Sequence, residues 1–209
     1  MTSLLIGLDL SLTGPGISII YRPRAGQPPT HIHAAQWRPD PKQAKTMALP
    51  ERCEYISQRV TSTILEYVTS INVRPNEPVV VQAELTIINS ARSTNMTSLY
   101  FLTGYVVSHL YTALHTQRVG EFHSTNVGVG TISSQVWKKD MLGSTWPVDP
   151  TTGKKRPWQK EHIVAAAQAS LREYNYKGVT EITYSIGNKK QYDWADAYLI
   201  ALHALRHPQ

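Results

Sequence analysis

Short, wholly apolar runs and longer amphipathic stretches alternate along this chain. Leu4-Leu5-Ile6-Gly7-Leu8 is closed by Asp9, and Val79-Val80-Val81-Gln82-Ala83 is closed by Glu84. Apolar runs of this length read as strands buried on both faces, so each acid ends a core strand. A Thr13-Gly14-Pro15-Gly16 turn leads into a second strand at 17–21. After a Pro/Gly-rich loop, a third strand at 31–37 runs antiparallel to the second.

Helical periods dominate the remainder. Pro50 opens a helix reaching about residue 68, with Cys53, Ile56, Val60 and Ile64 on one stripe, and Pro75 and Pro78 separate it from the Val79 strand. The longest periodic segment, 89–115, carries Leu99, Leu102, Val106, Leu110 and Leu114 on one stripe. Phe101, Tyr105 and Tyr111 widen that stripe, which predicts a helix buried on two sides, by a dimer partner or by a central place in the core. A short strand is expected at 118–122, a helix at 133–142 with Lys138 and Lys139 exposed, and an irregular linker at 143–157. A helix at 158–174 runs through Ile163, Ala166, Ala167 and Leu171, and 179–186 suggests a short hairpin or lid. A closing helix at 192–205 places Ala195, Leu199, Leu202 and Leu205 on or near its apolar side. Strands followed by strand–helix alternation predict one α/β domain over 1–209, with insertions near 143–157 and 176–191.

Composition narrows the function. With 209 residues, 41% of them hydrophobic, the chain can bury one substantial core. Lys and Arg total 21 against 15 Asp and Glu, a net +6, and if the acids are gathered in a site the remaining surface is more basic still. That balance suits a polyanionic partner. The single cysteine, Cys53, excludes an internal disulfide framework and a multi-cysteine zinc site, and its stripe marks it as a core thiol. No apolar run approaches the ~20 residues of a membrane span, and the first ten residues lack the basic start of a signal peptide. A reducing, cytoplasmic setting is expected.

Four carboxylates carry the chemistry. Asp9 and Glu84 sit at strand ends, and Asp193 and Asp196 are three apart, on one face of the closing helix. An acid leaving a dry strand is costly unless compensated, and four that converge cannot all stay ionised without a cation. A divalent-metal site follows. Hard oxygen ligands and the lack of a Cys/His cluster in the sequence favour Mg²⁺ or Mn²⁺ over zinc. Each acid also has a plainer reading. Asp9 is a turn-former for Ser11 and Thr13, Glu84 an ion-pair partner for Arg92, and Asp193 and Asp196 first-turn acids that complement a helix dipole.

The order of these motifs resembles the RuvC-type Holliday junction resolvases, particularly phage-type members. Gly7-Leu8-Asp9-Leu10-Ser11-Leu12-Thr13-Gly14 resembles the family's first-strand motif, Glu84 stands in the place of its second acid, and Asp193-Trp194-Ala195-Asp196-Ala197 resembles its final D-x-x-D-A helix. Gln135-Val136-Trp137-Lys138-Lys139 and Lys160-Glu161-His162-Ile163-Val164 resemble the stretch before the last acids. The resemblance implies a ribonuclease H-like fold, a five-stranded mixed sheet flanked by helices. It further implies an endodeoxyribonuclease of DNA recombination and repair that resolves four-way junctions by paired symmetric nicks. Two Mg²⁺ ions, with Mn²⁺ substituting, would be held by Asp9, Glu84, Asp193 and Asp196. One would activate the attacking water and the other stabilise the leaving 3′-oxygen. Lys160 matches the family's helix-start lysine and would stabilise charge on the phosphate. A two-fold junction also implies a C2 homodimer acting at the nucleoid, with the long helix as its interface.

Further DNA contacts are candidates by charge and position. Arg92 and Asn95 open the long helix, and Lys138, Lys139, Lys154, Lys155, Arg156, Lys189 and Lys190 would neutralise flanking phosphates. Tyr100, Trp137 and Trp158 either stack on bases or pack in the core. Leu10 stands where bacterial members often have Pro, and Ile87 where an aromatic often follows the Glu. Three other classes compete: a ribonuclease H-like nuclease for flaps, branched DNA or RNA–DNA hybrid; a sugar-kinase or actin-type phosphotransferase; and a non-catalytic nucleic-acid-binding module. The second needs another domain and a second phosphate loop that 209 residues do not supply, and four retained acids argue against the third.

Overall fold

The computed structural model describes residues 3–24, 26–37, 40, 42, 46–71, 73, 77–85, 94–116, 126–149, 151–174, 181–182 and 192–207. Three antiparallel strands open the chain, β1 (Ser3–Asp9), β2 (Gly16–Arg22) and β3 (His31–Gln36). Helix α1 (Leu49–Ser70) follows, with Pro50 in its first turn and Glu51 accepting from the Ala48 N–H at 3.0 Å. Strand β4 (Val79–Leu85) then lies parallel to β1, and α2 (Thr94–Thr116) leads towards β5 (Val127–Ser133), which is parallel to β4. Helices α3 (Ser134–Leu142), α4 (Lys160–Tyr174) and α5 (Asp193–Arg206) complete the described elements with the two-residue β6 (Glu181–Ile182). The sheet order is β5-β4-β1-β2-β3, with β6 added beside β3.

Strand alternation sorts the side chains between two cores. Leu4, Ile6, Leu8, Ile17, Ile19, Val79, Val81 and Ala83 face α1 and α2, where the buried stripe Cys53-Ile56-Val60-Ile64 meets Leu102, Val106, Leu110 and Leu114. Leu5, Ile20, Ile32 and Ala34 face the other way, against α5, α4 and Trp137 of α3. α5 lies closest to the sheet. A Cβ at Gly7 would overlap Ala197 O and Ala201 N, and one at Gly16 would overlap Asp193 O, so these glycines let helix backbone rest on strand backbone.

Several expectations change in the folded chain. The closing helix is buried from Trp194 to Leu205 on every side, because α4 and α3 cover the face turned away from the sheet. Among the described residues, the long helix is covered on one side, with Tyr100, Phe101 and Tyr111 at 49%, 55% and 43% exposure. β5 has no counterpart among the expected strands: Gly128 and Gly130 interrupt its apolar alternation, and pairing to β4 overrides their weak strand preference. The strand expected at 118–122 lies outside the described residues. Within the 143–157 linker, Val148 and Lys155 pair as an isolated antiparallel bridge around a turn. Among the described residues, no helix is long and apolar enough to cross a membrane.

Candidate metal centre

Two-residue alternation aims both strand-end acids at the same helix. Asp9 shares the parity of Leu5 and Gly7, and Glu84 that of Val80 and Gln82, so both point to the α5 side. The first turn of α5 presents Asp193 and Asp196 to them. Carboxylate oxygens of Asp9, Asp193 and Asp196 all lie within 4.8 Å of one another. Glu84 stands outside that tight set and accepts a hydrogen bond from Trp137 Nε1 at 2.9 Å.

Lys160, the first residue of α4, reaches into the cluster. Its Nζ is 2.5 Å from Asp196 Oδ2 and 3.3 Å from Asp193 Oδ1. Gln36, at the end of β3, grips Asp193 from the opposite side: its amide nitrogen donates to Asp193 Oδ2 at 2.6 Å and its amide oxygen accepts from Asp193 N–H at 3.3 Å. Gln36 Nε2 also donates to Gly14 O at 3.3 Å, tying the β1–β2 turn to the same point.

The cluster is short of positive charge. Burial, then Asp196 and Glu84, hold the Asp9 carboxyl well above the usual range, with Lys160 opposing. Burial also raises Glu84 against the pull of Lys138, and raises Asp196 against that of Lys160. Lys160 is itself disfavoured by burial, but Asp196, Asp9 and Asp193 outweigh this and hold its ammonium above the ordinary lysine value. That Asp196 stays raised beside a charged lysine follows from its side chain being only 3% exposed. One lysine does not neutralise these acids. Clustered hard oxygens with unmet charge fit a divalent cation such as Mg²⁺ or Mn²⁺.

Among solved structures, the chain is similar to Thermus thermophilus RuvC, with 17% identity over 99% of this chain and 95% of that one and a TM-score of 0.55. The fold is ribonuclease H-like. Two further structures align with TM-scores of 0.44 and 0.45. They are the fowlpox virus resolvase in complex with its substrate Holliday junction DNA, at 15% identity over 99% of this chain and 98% of that one, and the Mn-soaked human cytomegalovirus terminase nuclease domain, at 11% over 97% and 83%. No protein-family model and no curated protein matches the chain.

On this ribonuclease H-like sheet, Asp9, Asp193, Asp196 and Lys160 come together, with Glu84 beside them. Lys138 is half-buried, with its ammonium 4.9 Å from the centre of the Trp137 ring, and its charge acts on Glu84 and Asp196. Lys139, Lys154, Lys155 and Arg156 are exposed, and Arg156 pairs with Asp149 at 3.1 Å. Arg92, Lys189, Lys190 and Ile87 lie outside the described residues, as does the side chain of Asn95. Of the three aromatics, Trp137 is fully buried and half-buried Trp158 donates to Ser144 O at 2.8 Å, leaving Tyr100 on the surface. Sequence reasoning missed Gln36, since an amide at a strand end carries no signal of its own, and missed the Trp137–Glu84 bond. It also found no histidine cluster, yet Asp140, His203 and His207 converge at the far end of α5.

Proposed function

We propose that the chain is a divalent-metal-dependent endodeoxyribonuclease of the RuvC type that nicks four-way DNA junctions symmetrically. The observation that carries this reading is the convergence of Asp9, Asp193, Asp196 and Lys160 where β1 meets the start of α5, with Glu84 of the neighbouring strand alongside. Asp9, Glu84, Asp193 and Asp196 would hold Mg²⁺, with Mn²⁺ able to substitute. An ion held there would supply Lewis-acid polarisation of a phosphate and would lower the pKa of water at neutral pH.

The chain's own residues set up that chemistry. Trp137 fixes one Glu84 oxygen, which leaves the other to turn towards a ligand, while Gln36 holds one Asp193 oxygen and Lys160 the other, so that carboxylate is oriented from both sides. Lys160 keeps the cluster from repelling itself apart and places a positive charge where a phosphate oxygen arrives. The basic residues Lys138, Lys139, Lys154, Lys155 and Arg156 would contact flanking phosphates. The exposed Tyr100, Phe101 and Tyr111 on α2 supply an apolar face for the second copy that symmetric nicking requires.

Incubation with labelled four-way junction, flap, linear duplex and RNA–DNA hybrid in Mg²⁺ tests the proposal. Paired nicks confined to the junction are expected. Equal cutting of every substrate would remove the junction specificity and leave a general ribonuclease H-like nuclease. Asp9→Asn should bind junction DNA normally and lose about 10²–10³-fold or more in cleavage, the scale on which loss of one electrostatic stabiliser acts. Undiminished cutting by that variant would overturn the site.

A further inference from the structure

Two helical turns beyond the acids, α5 carries a second cluster of different chemistry. His203 lies in the last turn of α5 and His207 is the residue that caps it, donating its N–H to His203 O, with the two rings 4.6 Å apart. Both turn Nε2 to the same carboxylate oxygen, Asp140 Oδ2 on α3, at 3.1 Å and 3.6 Å. The three donor atoms all lie within 4.8 Å of one another.

We propose that Asp140, His203 and His207 form a zinc-class transition-metal site that fastens α3 to α5. Two imidazoles and one carboxylate are a borderline donor set that suits Zn²⁺, whereas the all-oxygen acid cluster suits Mg²⁺ or Mn²⁺. Tetrahedral bonds of about 2.0–2.1 Å give donor–donor edges of roughly 3.3 Å. The 3.1 Å and 3.6 Å separations bracket that edge. Three protein ligands leave a fourth position for water.

The surroundings are those of a metal ligand. His203 Nδ1 faces Oε1 of buried Gln82 on β4 at 3.4 Å, which orients the ring and leaves Nε2 for the metal. The side chain of His203 is 9% exposed, while those of Asp140 and His207 are 36% and 57% exposed, so the ion has an open route from solvent. The position of the site gives it a consequence. Asp140 is three residues beyond Trp137 on the same short helix, and Trp137 holds Glu84. Metal at Asp140 therefore steadies the helix that orients Glu84, a positioning role distinct from catalysis.

The test uses the full chain in excess Mg²⁺, which supplies the acid cluster, with Co²⁺ as a spectroscopic substitute for Zn²⁺. Wild type should take up one Co²⁺ with the visible bands of a four-coordinate site, lose it to Zn²⁺, and gain Tm on Zn²⁺ addition. His207→Ala, at an exposed helix end, should keep the native circular dichroism spectrum. It should bind Co²⁺ about a hundredfold or more weakly, beyond the 10–100-fold typical of a lost outer partner, and Asp140→Asn should do the same. Asp9→Asn should leave the Co²⁺ bands unchanged, which separates this site from the nuclease reading. No tight Co²⁺ uptake by wild type, equal uptake by His207→Ala, or bands lost only in Asp9→Asn would each overturn the proposal.

Discussion

The two faces of the sheet are built from the same strands and do opposite jobs. Towards α1 and α2, alternate residues are large and aliphatic, and helix meets sheet through interlocked side chains. Towards α5, the same strands mix Leu5, Ile20 and Ile32 with Gly7, Gly16, Gln82, Gln36, Asp9 and Glu84, and at the two glycines the helix backbone rests on the sheet itself. Side-chain packing makes a thick, dry layer. Backbone packing brings the first turn of a helix close enough for its carboxylates to meet those of two strands. The acid cluster therefore depends on the small residues beneath α5 as much as on the acids.

Opposite substitutions should therefore hurt on opposite faces. Ile56→Ala removes bulk from the α1 core and should cost about 2–5 kcal/mol in urea unfolding, with metal binding and activity kept in the fraction that remains folded. Gly7→Ala adds only a methyl, yet it meets the backbone of Ala197 and Ala201, which cannot move without shifting the helix. A cost of roughly 1–3 kcal/mol or more is expected, together with weaker divalent-metal binding. If Gly7→Ala lowered stability but left metal affinity untouched, α5 would not be the element that sets the acid geometry.

The next contrast lies in pH dependence. On the α5 side, Asp9, Glu84 and Asp196 are all raised by burial in the folded protein. A raised carboxyl binds a proton in the native state that the unfolded state has already released. Its contribution is then fully present below the ordinary carboxylate range and is lost as pH rises through the raised value. In chelator, unfolding free energy should fall from mildly acidic towards neutral pH, and saturating Mg²⁺ or Mn²⁺ should flatten that fall. A metal-free protein with no such slope would contradict the charge deficit argued for the cluster.

Most of the framework was legible in the sequence because burial leaves a period. The runs at Leu4 and Val79, the stripe from Cys53 to Ile64 and the spacing of Asp193 and Asp196 each map onto an element of the folded chain. What period could not show was which face each residue of a wholly apolar run takes, since both faces look alike until helices pack on them. Gln36 and Trp137 were hidden for another reason: their importance comes from partners far away in sequence, Asp193 and Glu84. His203 and His207 have helical spacing, but Asp140, which completes their cluster, comes from a separate helix. β5 escaped because two glycines dilute its pattern and its order comes from its neighbour.

One part-buried hydrogen bond on each face separates the two most finely. On the α1 side, Ser57 Oγ donates to Tyr105 O at 3.1 Å and joins two helices. Ser57→Ala should cost about 0.5–1.5 kcal/mol of stability and leave cleavage and metal affinity unchanged. On the α5 side, Trp137 Nε1 donates to a Glu84 carboxylate oxygen. Trp137→Phe keeps an aromatic ring in the core but removes that donor, which leaves Glu84 free to rotate and raises its carboxyl further, because the indole bond is one of the groups that lowers it. Metal affinity or kcat should fall about tenfold, in the 10–100-fold range for a lost outer-shell partner, with KM for DNA little changed. Gln in place of Glu84 should then erase the difference between Trp and Phe at 137, because the bond matters only through the charge it orients. If the Trp137→Phe effect persisted in that background, Trp137 would act by packing alone, and the two faces would differ less than their chemistry suggests.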